Sequence, residues 1–153
     1  MSTKLKTPQE LFDISGKVAV VTGALGAFGS IAARTLAAAG CKLIIADDKL
    51  DSLGELAAEL REQGAQVELI ARWPDSTENC AAIVEAAVTA FERLDILVVA
   101  SGMMDVDPIV DMDVSRLNQV MKVNLTDSWM MCQAAGRQLI AQGQGGKLVL
   151  VSS

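Results

Sequence analysis

Histidine and tyrosine are both missing from this 153-residue sequence, and aromatic residues make up only 3% of it. Without histidine there can be no serine–histidine triad, no histidine general base, and few of the usual zinc sites. Cysteine is scarce. Cys41, Cys80 and Cys132 are an odd number, widely spaced, without a Cys-x-x-Cys pair, and each lies in or beside an apolar stretch. Buried free thiols are expected rather than a disulfide or a metal site. No apolar run approaches the length of a membrane span, and Met1 to Glu10 is polar without a signal-peptide core. Positive charge is also in deficit: the net charge of −6 argues against a nucleic-acid surface and against anionic membrane. A soluble, cytoplasmic protein is the expectation.

What is present is aliphatic. Half the residues (51%) are hydrophobic, and with so few aromatics this mass is alanine, valine, leucine and isoleucine. That composition suits a parallel sheet buried between alanine-rich helices. The length suits a single domain over 1–153 with a polar lead over 1–14. Short β-branched runs alternate with longer helical patterns. Strands are expected at Lys17–Thr22, Lys42–Ala46, Gln66–Ile70, Asp95–Val99 and Lys147–Val151. Between the first pair, Gly29–Ala39 reads as a helix closed by Gly40. A second helix opens at Asp51, places Leu53, Leu56 and Leu60 on one face, and closes at Gly64. Asp75 or Ser76 caps a third, with Ile83, Val84, Ala87 and Phe91 as its buried stripe. A loop through Pro108 leads to one long helical stretch, Val114 to Gln142, and Gly143 to Gly146 turns into the last strand. Strictly alternating strands and helices predict an α/β fold: a Rossmann-type, doubly wound parallel sheet with helices on both faces. The class alone does not name an activity.

The chemistry-bearing motif follows the first strand: Thr22-Gly23-Ala24-Leu25-Gly26-Ala27-Phe28-Gly29. Three glycines at intervals of three, where a strand turns into a helix, let a pyrophosphate approach the helix N-terminal amides. A plain tight turn is the competing reading. Asp47, with Asp48 beside it, ends the second strand about 20 residues further on, the spacing of a dinucleotide site. A carboxylate there accepts hydrogen bonds from the adenosine ribose and repels a 2′-phosphate, so NAD is favoured over NADP. Asp48 reads equally well as a solvated acid at a helix start. No Gly-x-x-x-x-Gly-Lys-Ser/Thr occurs, which excludes a P-loop nucleotidase.

Together with the lead-in Leu11 to Gly23, the blocks Asp95-Ile96-Leu97-Val98, Val123-Asn124-Leu125-Thr126 and Gly145 to Ser153 follow in an order and spacing that resembles the short-chain dehydrogenase/reductase family along almost the whole chain. The resemblance implies an oxidoreductase that transfers a hydride between NAD(P) and a small-molecule alcohol or carbonyl, with a sugar acid or polyol as the substrate expectation. It implies a catalytic set of Asn, Ser, Tyr and Lys, matched here by Asn124 and Ser153. For Asn124, a packing or capping role is the bland alternative. For Ser153, it is a turn residue. The Tyr-x-x-x-Lys pair is expected shortly after Ser153. The sequence therefore reads as the front part of such an enzyme, incomplete at its C-terminal side, with no turnover and weak or no NAD binding of its own. By the same resemblance, Val123, Ala100, Ser101 and Gly102 border the cofactor.

Several positions depart from the family pattern. Ala27 takes the place of the middle glycine of Thr-Gly-x-x-x-Gly-x-Gly, and Val99-Ala100 replaces an Asn-Asn pair ahead of Ser101-Gly102. After the third strand, Arg72 and Trp73 stand where an aspartate normally reads the adenine amino group, and arginine cannot accept that bond. The family also pairs its long helix between subunits. A homo-oligomer through 114–142 is expected, with the Trp129-Met130-Met131-Cys132 patch as either interface or core. A non-catalytic dinucleotide-binding module, such as a sensor or pseudoenzyme, is the rival reading.

Overall fold

The computed structural model describes Leu5 and residues 7–152. Five strands, β1 (Val18–Thr22), β2 (Lys42–Asp47), β3 (Val67–Ala71), β4 (Ile96–Val99) and β5 (Lys147–Leu150), form one sheet in the order β3-β2-β1-β4-β5. Every pairing is parallel, with Val20 opposite Ile44 on one side and Leu97 on the other. Between them run α2 (Ala27–Ala38), α3 (Leu50–Glu62), α4 (Thr77–Phe91), α5 (Val114–Met121) and α6 (Ser128–Gln142); a short α1 (Pro8–Phe12) precedes the sheet.

The unbroken apolar runs of β1 and β2 follow from burial on both faces. Strand side chains alternate, so Val18, Val20, Ile44 and Ala46 enter one core layer, packed on Cys80, Ile83 and Ala87 of α4 and Met131, Ala135 and Leu139 of α6. Ala19, Val21, Leu43 and Ile45 enter the other, against Ala33 of α2 and Leu53, Leu56, Ala57 and Leu60 of α3. This is the doubly wound arrangement that the alternation of elements predicts.

Some boundaries differ from the expectation. Helix α2 starts at Ala27 rather than Gly29, because Gly26 is already its N-cap. Of the two candidate caps for α4, Ser76 takes the role, its side chain accepting the Asn79 N–H. The polar lead contains α1, whose signal is local: Thr7 and Glu10 form a reciprocal capping box around Pro8. The long helix is not uniform. Between α5 and α6, Lys122–Asp127 is wound as a π-helix. The Trp129–Cys132 patch divides, with Met131 fully buried and Trp129 exposed. Cys41 and Cys80 are buried, Cys132 is half-buried, and all three are free thiols. No helix among the described residues is long and apolar enough to cross a membrane. Strand β5 forms one edge of the sheet, with Leu148, Val149 and Leu150 exposed.

Helix α4 ends on Glu92 at φ 66°, the one described non-glycine residue in the left-handed region. That conformation costs an L-residue about 1–2 kcal/mol, against about 0.5–1 kcal/mol for the greater flexibility of glycine. The exposed E92G substitution is thus expected to stabilise the protein by about 0.5 kcal/mol, read as a rise in the midpoint of chemical denaturation.

Candidate functional site

The strand order dictates where a ligand can enter. The connections from β1 and β4 leave toward opposite layers, so a crevice opens between their carboxyl ends. The glycine loop lies there. Gly23 adopts φ +63°, and a Cβ on it would sit 2.5 Å from the Ser101 nitrogen. A Cβ on Gly29 would fall 2.0 Å from the Gly23 oxygen. Those two glycines let β1, α2 and the end of β4 touch backbone to backbone. Gly26 is different: it has φ −70°, and an added Cβ would meet only the Gly23 oxygen, at 3.3 Å. Its bare surface therefore faces outward, beside exposed Ala27 and Phe28. No side chain caps α2, so the first-turn N–H groups remain available to an anion.

The loop is held from two sides. The Thr22 hydroxyl, fully buried, lies 3.0 Å from that of Ser101, and the Ala100 N–H donates to the Thr22 oxygen at 3.2 Å. On the other side Asp47, buried at the end of β2, accepts the Leu25 N–H at 3.1 Å through one oxygen and the Asp48 N–H at 3.0 Å through the other. Burial pushes the Asp47 carboxyl above its ordinary range; the Leu25 amide pulls the other way, and the neighbouring Asp48 adds to the rise. Asp48 is itself exposed.

Past Gly102, the Asn124 side chain grips the backbone of Met103. Its Oδ1 accepts the Met103 N–H at 2.9 Å and its Nδ2 donates to the Met103 oxygen at 2.8 Å. A Cβ on Gly102 would come within 3.1 Å of that Oδ1, so the glycine makes room for the grip. Asn124 and half-buried Val123 both belong to the π-helical segment, and π-turns inside α-helices cluster at functional sites.

Arg72 and Trp73 border a polar cleft of about 480 Å³ together with Asp48, Asp75 and Asn79. Arg72 is already engaged: its Nη1 donates to Asn79 Oδ1 at 2.7 Å, and Asn79 donates in turn to Asp75. Half-buried Trp73 is the aromatic residue that lines that cleft. Ser153 lies outside the described residues. Thus the structure gathers Thr22, Gly23, Leu25, Gly26, Ala27, Phe28, Gly29, Asp47, Ser101, Gly102 and Asn124 around one crevice, with Asp48, Arg72 and Trp73 on its β2–β3 side.

Two polar devices beside this crevice carry no sequence motif. Arg116 of α5 clamps the following-β4 loop by pairing with both Asp105 and Asp107. Lys122 donates to buried Asp127 at 2.9 Å. Their spacings, eleven and nine residues for Arg116 and five for Lys122, belong to neither a strand nor an α-helix face, so no periodicity reveals them.

The model of the family described as short chain dehydrogenase matches residues 17–153. Among curated proteins, the chain is 42% identical over 142 residues to an uncharacterized oxidoreductase of Mycobacterium tuberculosis, covering 93% of this chain and 52% of that protein. It is 31% identical to D-threitol dehydrogenase of Mycolicibacterium smegmatis, covering 93% of this chain and 54% of the relative. Among solved structures, a short chain dehydrogenase from Mycobacterium smegmatis superposes with a TM-score of 0.88 at 33% identity, covering 92% of this chain and 59% of that one. The chain spans about half the length of the curated relatives it matches.

Proposed function

The chain belongs to the short chain dehydrogenase family, and on that premise we propose that it is the dinucleotide-binding portion of an NAD-dependent oxidoreductase acting on an alcohol or carbonyl. One observation carries this reading: an uncapped helix start, approached by a glycine loop whose exposed Gly26 would meet only the Gly23 oxygen, at 3.3 Å, if it carried a side chain, beside a buried acid at the end of β2. The residues fit a dinucleotide. The α2 amides of Ala27 and Phe28 would meet its pyrophosphate, and Asp47 would accept from the adenosine ribose hydroxyls. When bound, the nicotinamide supplies or accepts the hydride. Asn124 holds the Met103 backbone, and Thr22 with Ser101 holds the β1 and β4 ends at a fixed distance. Ser153 is assigned to hydrogen-bond the substrate oxygen, and the acid/base Tyr-x-x-x-Lys pair to residues encoded after it. A sugar acid or polyol is the preferred substrate, supported by the likeness to D-threitol dehydrogenase and, at 32% identity, to 2-dehydro-3-deoxy-D-gluconate 5-dehydrogenase of Dickeya dadantii. Self-association through 114–142 is supported by an exposed apolar row, Val114, Leu117, Met121, Leu125 and Trp129.

The rival reading, a binding module without turnover, draws on Arg72, which is engaged by Asn79 where the family carries an acceptor for adenine. The two readings separate on the reading frame beyond Ser153 and on NAD reduction by the polypeptide it encodes. A Tyr-x-x-x-Lys motif and alcohol-dependent NADH formation are expected; a stop codon directly after Ser153 would leave only the binding module.

Cofactor choice is tested at Asp47. Asp47→Asn keeps an acceptor for the Leu25 N–H but removes the charge that repels a 2′-phosphate. In the polypeptide encoded by the whole reading frame, the ratio of NAD to NADP affinity, titrated by quenching of tryptophan fluorescence, is expected to fall about tenfold, the equivalent of about 1.4 kcal/mol. An unchanged ratio would refute the role of Asp47 in selecting NAD.

A further inference from the structure

Asp127 is 1% exposed, and its Oδ2 finds no hydrogen-bond partner among the described residues. A carboxylate buried with half its acceptor capacity unused is costly unless an opposite charge compensates it. The compensation comes from Lys122, whose Nζ donates to Asp127 Oδ1 at 2.9 Å and also to the Asp75 oxygen at 3.3 Å. The spacing of this pair is five residues. On an α-helix, positions five apart point about 140° away from each other, and ion pairs form at three or four. In a π-helix the turn closes at five. Lys122 and Asp127 are the first and last residues of the π-helical segment, so the pair spans that one turn and no ordinary α-helical turn would bring its two ends together. Asn124 lies within it.

We infer that the Lys122–Asp127 ion pair is a positioning device that holds the helix in its π-turn and thereby keeps Asn124 on the Met103 backbone at the mouth of the crevice. The same lysine ties the turn to the Asp75 backbone ahead of α4, so the Asn124 side of the crevice and the Trp73 side are braced by one ammonium. The surroundings agree. Burial first, and then the charges of Asp127 and Asp75, push the nearby Cys80 thiol up to about 11, with Lys122 opposing. The significance for catalysis rests on the reading of Asn124 as a site residue, but the geometric claim does not depend on cofactor binding.

The test uses hydrogen exchange and side-chain amide resonances of the ¹⁵N-labelled chain. In Asp127→Asn, the Met103 N–H is expected to exchange at least about tenfold faster, and the two Asn124 side-chain amide protons to move toward each other as the bond to Met103 is lost. Core amides of Val20 and Ile44 should keep their protection. Asn124→Ala should produce the same loss at Met103, and the double variant no more than either single one, as expected for residues acting in series. Lys122→Arg, which keeps the charge, should retain the protection. Should Asp127→Asn fail to fold, the apolar pair Lys122→Met/Asp127→Leu removes both charges together and is read in the same way. Unchanged Met103 exchange in either folded variant overturns the inference, as does loss of Met103 protection only in step with Val20 and Ile44. Because no cofactor enters this measurement, its failure is distinguishable from failure of the NAD titration.

Discussion

Gly29→Ala is expected to destabilise the protein by about 3 kcal/mol or more, enough to lower its urea midpoint by roughly 1–2 M. The added methyl would meet the Gly23 oxygen at 2.0 Å, the Gly23 carbonyl carbon at 2.7 Å and Ala24 Cα at 3.0 Å. All are backbone atoms, which cannot rotate aside as a flexible side chain would. Relief requires α2 to move off β1, and that would also open the layer in which Ala33 packs. Gly23→Ala should be comparably severe for a double reason. Its φ of +63° costs an L-residue about 1–2 kcal/mol, and its Cβ would press within 2.5–2.7 Å of the Ser101 and Ala100 backbone. Gly26→Ala provides the contrast. Its φ is unstrained and its one close contact is 3.3 Å, so the expected loss is about 1 kcal/mol, that of a poorer N-cap. If all three variants unfolded at the same denaturant concentration, the division between two packing glycines and one outward-facing glycine would be wrong.

Asp95→Ala is expected to cost about 2–3 kcal/mol at neutral pH, chiefly for the buried Val18 N–H left without its acceptor, with the solvent-exposed ends of Lys17 and Arg93 adding less. Asp95 lies at the opposite end of the sheet from the crevice. One oxygen accepts the Val18 N–H at 3.0 Å, Arg93 grips both oxygens from two residues earlier, and Lys17 stands at 3.4 Å. Truncation leaves a β1 amide without its acceptor and two cations without their counter-charge. Burial alone would push this carboxyl up, but Arg93, the Val18 amide and Lys17 outweigh burial and hold it below the ordinary carboxylate range. A carboxylate whose folded value is depressed contributes stability that is present above its unfolded value, about 4, and is lost as pH falls through the folded one. The stability gap between wild type and Asp95→Asn, which removes the charge and one acceptor oxygen but can keep the other for the Val18 N–H, should therefore be full at pH 7 and shrink on acidification below about pH 4. The Asp95→Ala gap should shrink less, because the unpaired Val18 N–H persists at every pH. Denaturant titrations at pH 7 and pH 3 compare the two, and a gap that grows on acidification would contradict the assignment.

Both sets of residues show how far sequence reasoning reached. The glycine loop was legible because its requirement is local: a strand, a tight approach and a helix start follow one another within eight residues. Asp47 was legible by its distance along the chain from that loop. The partners that immobilise them were not. Thr22 meets Ser101 across 79 residues, and Val18 meets Asp95 across 77, and nothing in either local pattern marks the other member. The same holds for the π-turn. Lys122-Val-Asn-Leu-Thr-Asp127 continues the helical pattern on both sides, and what distinguishes it from an ordinary helix is the five-residue reach of Lys122 to Asp127 together with the meeting of Asn124 with Met103, 21 residues earlier, and of Lys122 with Asp75, 47 residues earlier.

The sequence by itself determined the doubly wound class, the order of its elements and the location of the glycine loop, since these follow from periodicity and from residue types with few allowed conformations. Only the tertiary structure decided which glycines are locked by packing and which is left facing outward, that Arg72 is taken up by Asn79, and that the long helix widens at Asn124. Each of those outcomes depends on a short-range contact, steric or hydrogen-bonded, between segments that the chain brings together only when the sheet has formed.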